Sequence, residues 1–296
     1  MLPEFDLVIP QNVRQALEFL QENSLRASPL AGGTNLVVDM RSGRSSPTIL
    51  VNINDLPELR QIELAGDELK IGGTITIAEL QAHPLVKQYC PALVAAAEVF
   101  ANPLVRNRAT LGGNLVDASP AADCAPPLLA LDAEVELVSQ AGSRRVRLDN
   151  FFTGVRKTVV QPDEILAAVY LPAGNPGTAS AYYKIGLRKA DAIAVVSAAV
   201  WIETGPDRRC KKARIALGSV APRPMRAVQA ETSLEGSLLT VQAIQQAGRL
   251  AAAEVSPISD LRASTDYRRK MVEVVVCRLL SQTTSQIQPQ GDAHAA

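Results

Sequence analysis

Two glycine pairs constrain this chain more than any other feature: Ala31-Gly32-Gly33-Thr34-Asn35 and, far downstream, Thr110-Leu111-Gly112-Gly113-Asn114. Glycine tolerates positive φ and lets a ligand approach the main chain where a Cβ would intrude. Successive N–H groups in such a turn can form an anion-binding concavity. Each pair also sets a hydroxyl and an amide side chain beside the glycines. Two such turns point to a long, doubly charged ligand gripped from two sides, and a pyrophosphate is the natural candidate.

Several other readings of the glycines fail on spacing. A Rossmann turn needs G-x-G-x-x-G with an acidic residue about 20 positions on, and neither pair fits. A Walker loop needs GK[ST], which occurs nowhere in the chain. Hydrolytic chemistry has little to work with, since the only histidines are His83 and His294 and there is no G-x-S-x-G elbow. His83 precedes Pro84 and reads as a satisfied surface side chain. Cys90, Cys124, Cys210 and Cys277 are widely separated, which excludes a CxxC-type zinc or iron–sulfur motif, so no metal site is expected. Any redox chemistry must come from a bound cofactor.

Charge and hydropathy narrow the class further. The 296 residues carry 30 Lys and Arg against 30 Asp and Glu, and a net charge of zero argues against a nucleic-acid surface. The basic clusters Arg144, Arg145, Arg147 and Arg208, Arg209, Lys211, Lys212 read as solvated hairpin turns. The N-terminus lacks a basic region followed by an apolar one, and the longest apolar run, residues 192–202, is too short to span a bilayer. The expectation is a cytoplasmic protein with no membrane insertion. An apolar content of 47% supports a sizeable core, and the length suits two or three domains.

Periodicity places the motifs. Residues 12–23 have helical spacing, and 48–53 (TILVNI) read as a buried strand. A hairpin is expected around Ala65-Gly66-Asp67, and Thr76 with Glu79 forms a capping-box pattern. Residues 91–100 read as an alanine-rich helix stopped by Asn102-Pro103. Residues 126–131 read as a helical turn, with strands at 134–138 and 165–171. After the Pro- and Gly-rich linker 172–177 come three strand-like runs (181–187, 192–203, 210–218) and two helices (240–254, 267–281). Phe100 is either a planar surface for a ring system or a core aromatic. Asp123 is either an acceptor for a ribose hydroxyl or a helix cap.

LAGGTNL, followed downstream by TLGGN, ASPAAD and LLALDAE, resembles the FAD-binding medium subunit of the molybdenum hydroxylases, the family of xanthine, carbon monoxide and aldehyde dehydrogenases. Phe151-Phe152-Thr153-Gly154, Pro162-Asp163-Glu164-Ile165-Leu166 and Lys184 with Arg188 and Asp191 extend the match over nearly the whole chain. In this order and spacing the motifs are highly specific.

The resemblance implies an α+β fold: a two-subdomain FAD-binding domain of the vanillyl-alcohol-oxidase type over 1–175 (subdomains about 1–57 and 58–175). A small C-terminal α+β domain, a three-stranded sheet with helices, would follow over 176–283, while the polar composition of the last residues, with Pro and Gly, marks 284–296 as a disordered tail. It implies that Pro29, Leu30, Ala31, Gly32, Gly33, Thr34, Asn35 and Leu36 line the pyrophosphate together with Thr110, Leu111, Gly112, Gly113 and Asn114. Phe100 would pack on the FAD and Asp123 would bind its ribose region. Ile165 and Leu166 would contact the isoalloxazine, and Lys184 would approach the flavin from the C-terminal domain. No residue is expected to act as a catalytic acid or base. FAD is expected to be non-covalent, because neither histidine lies in a glycine motif.

In the family a small subunit carries [2Fe-2S] clusters and a large subunit the molybdenum cofactor, in an (αβγ)2 assembly. This chain would take electrons from the clusters and pass them from FAD to an acceptor such as NAD, a quinone or oxygen. Two alternatives stand beside that reading: a free-standing flavin reductase or oxidase of the same fold, and a non-catalytic FAD-binding assembly subunit.

Overall fold

Helix α1 (Val13–Glu22) forms because Ala16, Leu17 and Leu20 recur on one face and are buried, while the Asn12 side chain caps it by accepting from the Gln15 N–H at 2.9 Å. The computed structural model describes residues 2–174 and 177–287. α1 packs on a three-stranded parallel sheet of β1 (Asp6–Val8), β2 (Ala27–Leu30) and β3 (Ile49–Asn52), with β3 in the centre. The first glycine pair connects β2 to a short helix, α2 (Leu36–Arg41). These elements form the first subdomain.

The second subdomain is built on an antiparallel sheet of five strands. The hairpin β4 (Ile62–Ala65) and β5 (Glu68–Gly72) turns at Gly66, whose φ is +66°. Helices follow at α3 (Ile77–Ala82), α4 (Pro84–Tyr89), α5 (Pro91–Glu98), α6 (Pro103–Arg106), α7 (Leu111–Val116) and α8 (Ala125–Ala130). The Thr76–Glu79 capping box on α3 is present in both directions. Strands β6 (Glu134–Ser139) and β7 (Gly142–Arg147), helix α9 (Leu148–Phe151), the small hairpin β8 (Phe152–Gly154) and β9 (Lys157–Thr158), and β10 (Ile165–Pro172) complete it. The sheet order is β4-β5-β10-β6-β7, so the last strand inserts at the centre.

One basic cluster differs from expectation. Arg144, Arg145 and Arg147 are in edge strand β7, not in its turn, and each meets an acid: Glu164 at 2.7 Å, Glu68 at 2.8 Å and Asp149 at 2.9 Å. The second cluster straddles a turn at Arg208 and the start of the next domain's third strand.

The C-terminal domain is a meander of β11 (Thr178–Gly186), β12 (Ala194–Thr204) and β13 (Cys210–Gly218), to which a two-residue strand β14 (Met225–Arg226) adds a fourth member where three were expected. Helices α10 (Val228–Leu234), α11 (Val241–Glu254) and α12 (Thr265–Gln286) accompany it. Every residue of β12 from Ala194 to Val200 is buried, because α12 packs on the sheet and α5 and α8 of the second subdomain also pack against it. That is why β12 reads as a continuous apolar run. Of the linker at 172–177, residues 175 and 176 lie outside the described residues. α12 extends past the expected end at 281 to Gln286, so 284–286 are helical, and 288–296 of the anticipated tail lie outside the described residues. Among the described residues no helix is long and apolar enough to cross a membrane.

Candidate functional site

A cleft of about 1060 Å³ runs between the two N-terminal subdomains and is bordered at one end by Asp191, Ala192 and Ile193 of the C-terminal domain. Pro29, Leu30, Ala31, Gly32, Gly33, Thr34, Asn35 and Leu36 line one wall. Phe100, Thr110, Gly112, Gly113, Asn114, Asp123, Ile165 and Leu166 also line the cleft. Of the residues singled out in the sequence, Leu111 and Lys184 do not line it. Leu111 is fully buried in the core of the second subdomain.

The two glycine pairs are chemically different. In the first, Gly33 has φ +71°, a conformation that L side chains rarely adopt. A Cβ on Gly32 would lie 1.8 Å from the Arg108 carbonyl oxygen, so that glycine seats the turn against the second subdomain. None of the main-chain N–H groups of Ala31, Gly32, Gly33, Thr34 and Asn35 donates to an acceptor among the described residues. Orphan donors on a concave wall are what an anionic oxygen needs.

The second pair, expected as a similar open turn, is the first turn of α7 instead. The Thr110 hydroxyl caps it by accepting from the Gly113 N–H at 3.1 Å. The Leu111 N–H donates to the Ile75 carbonyl at 2.9 Å and the Gly112 N–H to the Gly73 carbonyl at 2.8 Å. These donors are therefore already satisfied. A Cβ on Gly112 would come within 2.7 Å of the Gly73 oxygen, and one on Gly73 within 2.1 Å of the Leu166 oxygen. The glycines here allow three backbone segments to stack. What this wall offers a ligand is side-chain chemistry: Asn114 Oδ1 accepts from the Cys124 N–H at 3.2 Å, which leaves its NH₂ as a donor.

Sequence reasoning missed several cleft residues. Gly73 and Thr74 line the cleft, and Gly72-Gly73-Thr74 repeats the letters of Gly32-Gly33-Thr34, a signal hidden because the stretch also reads as a strand end. Asp39 of α2, Asp117 at the end of α7 and Arg156 at the tip of the β8–β9 hairpin form a bridge across the subdomains. Arg156 contacts both carboxylates, Asp117 at 2.8 Å, and Arg44 Nε binds Asp39 at 2.9 Å. Glu164 accepts from Arg144 at 2.7 and 2.8 Å and from the Gln161 N–H at 2.8 Å, which fixes the loop that leads into Ile165 and Leu166. The hydrogen bonds from Arg144 hold the Glu164 carboxyl below the usual range.

Asp123 is buried, yet it faces the cleft. Its Oδ1 accepts from the Tyr182 hydroxyl at 3.1 Å and its Oδ2 from the Lys184 ammonium at 2.6 Å. Burial pushes its carboxyl above the ordinary value, while Lys184 and Tyr182 pull it back. Burial also pushes the Tyr182 phenol well above 10. Lys184 donates its other bond to the Val99 carbonyl at 3.2 Å, so it stands behind Asp123 and does not face the cleft. The resemblance implied that Lys184 approaches the flavin from the C-terminal domain; among the described residues its ammonium reaches the cleft wall through Asp123.

His83 lies between α3 and α4, half-buried, and its Nδ1 has no hydrogen-bond partner among the described residues, so it is not the satisfied surface side chain expected. It does not line the cleft, and His294 lies outside the described residues. Among the described residues no group of three His, Cys, Asp or Glu side chains could hold a metal ion.

The sequence profile of the FAD-binding domain in molybdopterin dehydrogenase matches residues 3–174, and that of the CO dehydrogenase flavoprotein C-terminal domain matches 181–283. The chain is 33% identical over 279 residues to the carbon monoxide dehydrogenase medium chain of Hydrogenophaga pseudoflava, covering 94% of this chain and 96% of that one. It is 33% identical over 272 residues to a putative xanthine dehydrogenase FAD-binding subunit of Escherichia coli K12, covering 91% and 92%. It superposes on the crystallised carbon monoxide dehydrogenase of H. pseudoflava with a TM-score of 0.93 at 33% identity, over 97% of this chain and 100% of that one. With quinoline 2-oxidoreductase from Pseudomonas putida 86 the TM-score is 0.90 at 28% identity, over 97% and 99%.

Proposed function

Because this chain belongs to the FAD-binding subunits of molybdopterin-dependent dehydrogenases, we propose that it is the electron outlet of a multisubunit molybdenum hydroxylase. The observation that carries this reading is the cleft itself, with five N–H groups at the first glycine turn that have no acceptor among the described residues and a buried carboxylate, Asp123, elsewhere on its wall. A dinucleotide needs both, since its pyrophosphate requires donors and its sugar hydroxyls require an acceptor.

Ala31, Gly32, Gly33, Thr34 and Asn35 would hold the pyrophosphate through main-chain N–H groups, with Pro29, Leu30 and Leu36 shaping the wall. Thr110, Gly113 and Asn114 would close over it from the other subdomain, Gly112 giving the close packing behind them. Phe100 offers a planar surface, Asp123 accepts a hydroxyl, and Ile165 and Leu166 line the ring. Leu111 and Lys184 act from behind the wall.

When bound, FAD supplies the electron-accepting and electron-donating chemistry, and the protein supplies position and electrostatics. Electrons would arrive from [2Fe-2S] clusters of a small subunit, beside a large molybdopterin subunit in an (αβγ)2 complex, and leave to an external acceptor. Purification from the native source tests this. A non-covalent flavin spectrum together with co-purifying iron–sulfur and molybdenum chains is expected, and a solitary, colourless protein would overturn the reading.

A further inference from the structure

Three acids on the cleft wall are buried: Asp39, Asp123 and Glu164. The arginines that pair with Asp39 and Glu164 are solvent-accessible, with Arg44, Arg156 and Arg144 side chains 62%, 44% and 43% exposed. Asp123 is different. The Lys184 side chain is only 6% exposed, and Tyr182 is buried in the same core cluster as α5 and α8. Both belong to β11 of the C-terminal domain, and their two-residue spacing puts them on one face of that strand.

Each oxygen of Asp123 is therefore already held by a donor from another domain before any ligand arrives. An ionised carboxylate accepts only, so its remaining lone pairs suit a hydroxyl and repel a phosphate. The groups that face it are Tyr182 and Lys184 from β11, the Val99 carbonyl through Lys184, and its neighbour Cys124, whose thiol is fully buried. Donors thus stand at the first glycine turn and an acceptor at Asp123.

Resting on the FAD reading above, we propose that Tyr182 is a positioning residue of the flavin site, which together with Lys184 fixes Asp123 as an acceptor for a sugar-type hydroxyl of FAD. The C-terminal domain is then part of the cofactor site although its β11 clamp does not line the cleft. By reciprocity, FAD binding and the docking of that domain strengthen each other.

The test is FAD titration of the full-length apoprotein, followed by flavin fluorescence. Tyr182→Phe keeps the ring and removes one hydrogen bond to a charged acceptor, and is expected to weaken FAD binding about tenfold. In an Asp123→Asn background the same change is expected to cost less than about twofold, since the two act as one unit. Lys184→Met removes the cation that offsets burial at the Asp123 carboxyl, so affinity is expected to rise with pH as Asp123 ionises, and Lys184→Arg to return the flatter wild-type profile.

Thermal unfolding of each apo variant separates loss of fold from loss of clamp. A Tyr182→Phe affinity within twofold of wild type, or an equal loss in the Asp123→Asn background, would overturn the proposal. A wild-type chain that takes up no FAD would instead overturn the FAD reading beneath it.

Discussion

The Gly112 N–H donates to the Gly73 carbonyl at 2.8 Å, and the same two glycines leave no room for a Cβ between them. A motif that looks in sequence like an open phosphate turn is therefore a packing seat where α7 rests on the end of β5. Gly112→Ala is expected to destabilise the apoprotein by about 1–3 kcal/mol, the range for forcing atoms into a packed site. Denaturant unfolding without flavin would show it, and an unchanged midpoint would remove the packing role.

Gly33 sits at the ligand wall itself, at φ +71°, where an added Cβ would lie 3.1 Å from Leu30 Cδ1. Gly33→Val strains the turn and tilts the unpaired N–H groups from Ala31 to Asn35. FAD affinity is expected to fall at least about tenfold, with about 1–3 kcal/mol of stability lost as well. Titration with ADP as well as FAD checks the assignment, because the loss should follow the pyrophosphate into both ligands.

Arg156 joins Asp39 of the first subdomain to Asp117 of the second. It is partly exposed, so Arg156→Ala should lower global stability by only about 1 kcal/mol. Flavin binding should suffer more, by about tenfold, since two carboxylates on the cleft wall lose their shared cation. Restoration of part of that loss by Asp39→Asn in the same chain is the decisive measurement, and no restoration would count against the electrostatic account.

Asp260 provides a pH test away from the cleft. Burial raises its carboxyl, but the N–H groups of Arg262 and Ala263 and the guanidinium groups of Arg268 and Arg262 outweigh that and bring it to about 2, against 3.8 for the free group. A carboxyl held below its unfolded value stabilises the fold above that value, and the contribution fades as pH falls from 3.8 towards 2. Asp260→Asn should therefore be less stable than wild type near neutrality, and the gap should close on acidification. A gap that stays constant with pH would assign the effect to packing.

Much of the fold was legible because it rests on local signals. The helix over 12–23, the Thr76 cap, the hairpin at Gly66 and the apolar strand β3 all form where short-range chemistry demands. The cleft was legible as a set of residues but not as chemistry. Whether an N–H is free depends on acceptors such as Ile75 and Gly73, which lie some forty positions from Gly112, and no local pattern reports them. Lys184 illustrates the same limit: its partner Asp123 is sixty-one residues away on another domain, so its charge could be foreseen but not its direction. Arg144, Arg145 and Arg147 read as turn residues for want of their acids, which come from β5, the loop before β10 and α9.

Strand β12 carries one more consequence. The two matching profiles meet between residues 174 and 181, which invites a cut there. Yet Tyr182, Ala199 and Ala216 of the later segment share a single apolar cluster with Leu93, Leu128 and Leu129 of the earlier one. Two modules of inheritance are thus one module of cooperativity: neither half has a finished surface, and a gene fragment that stops at the profile boundary would encode a protein with an open wound.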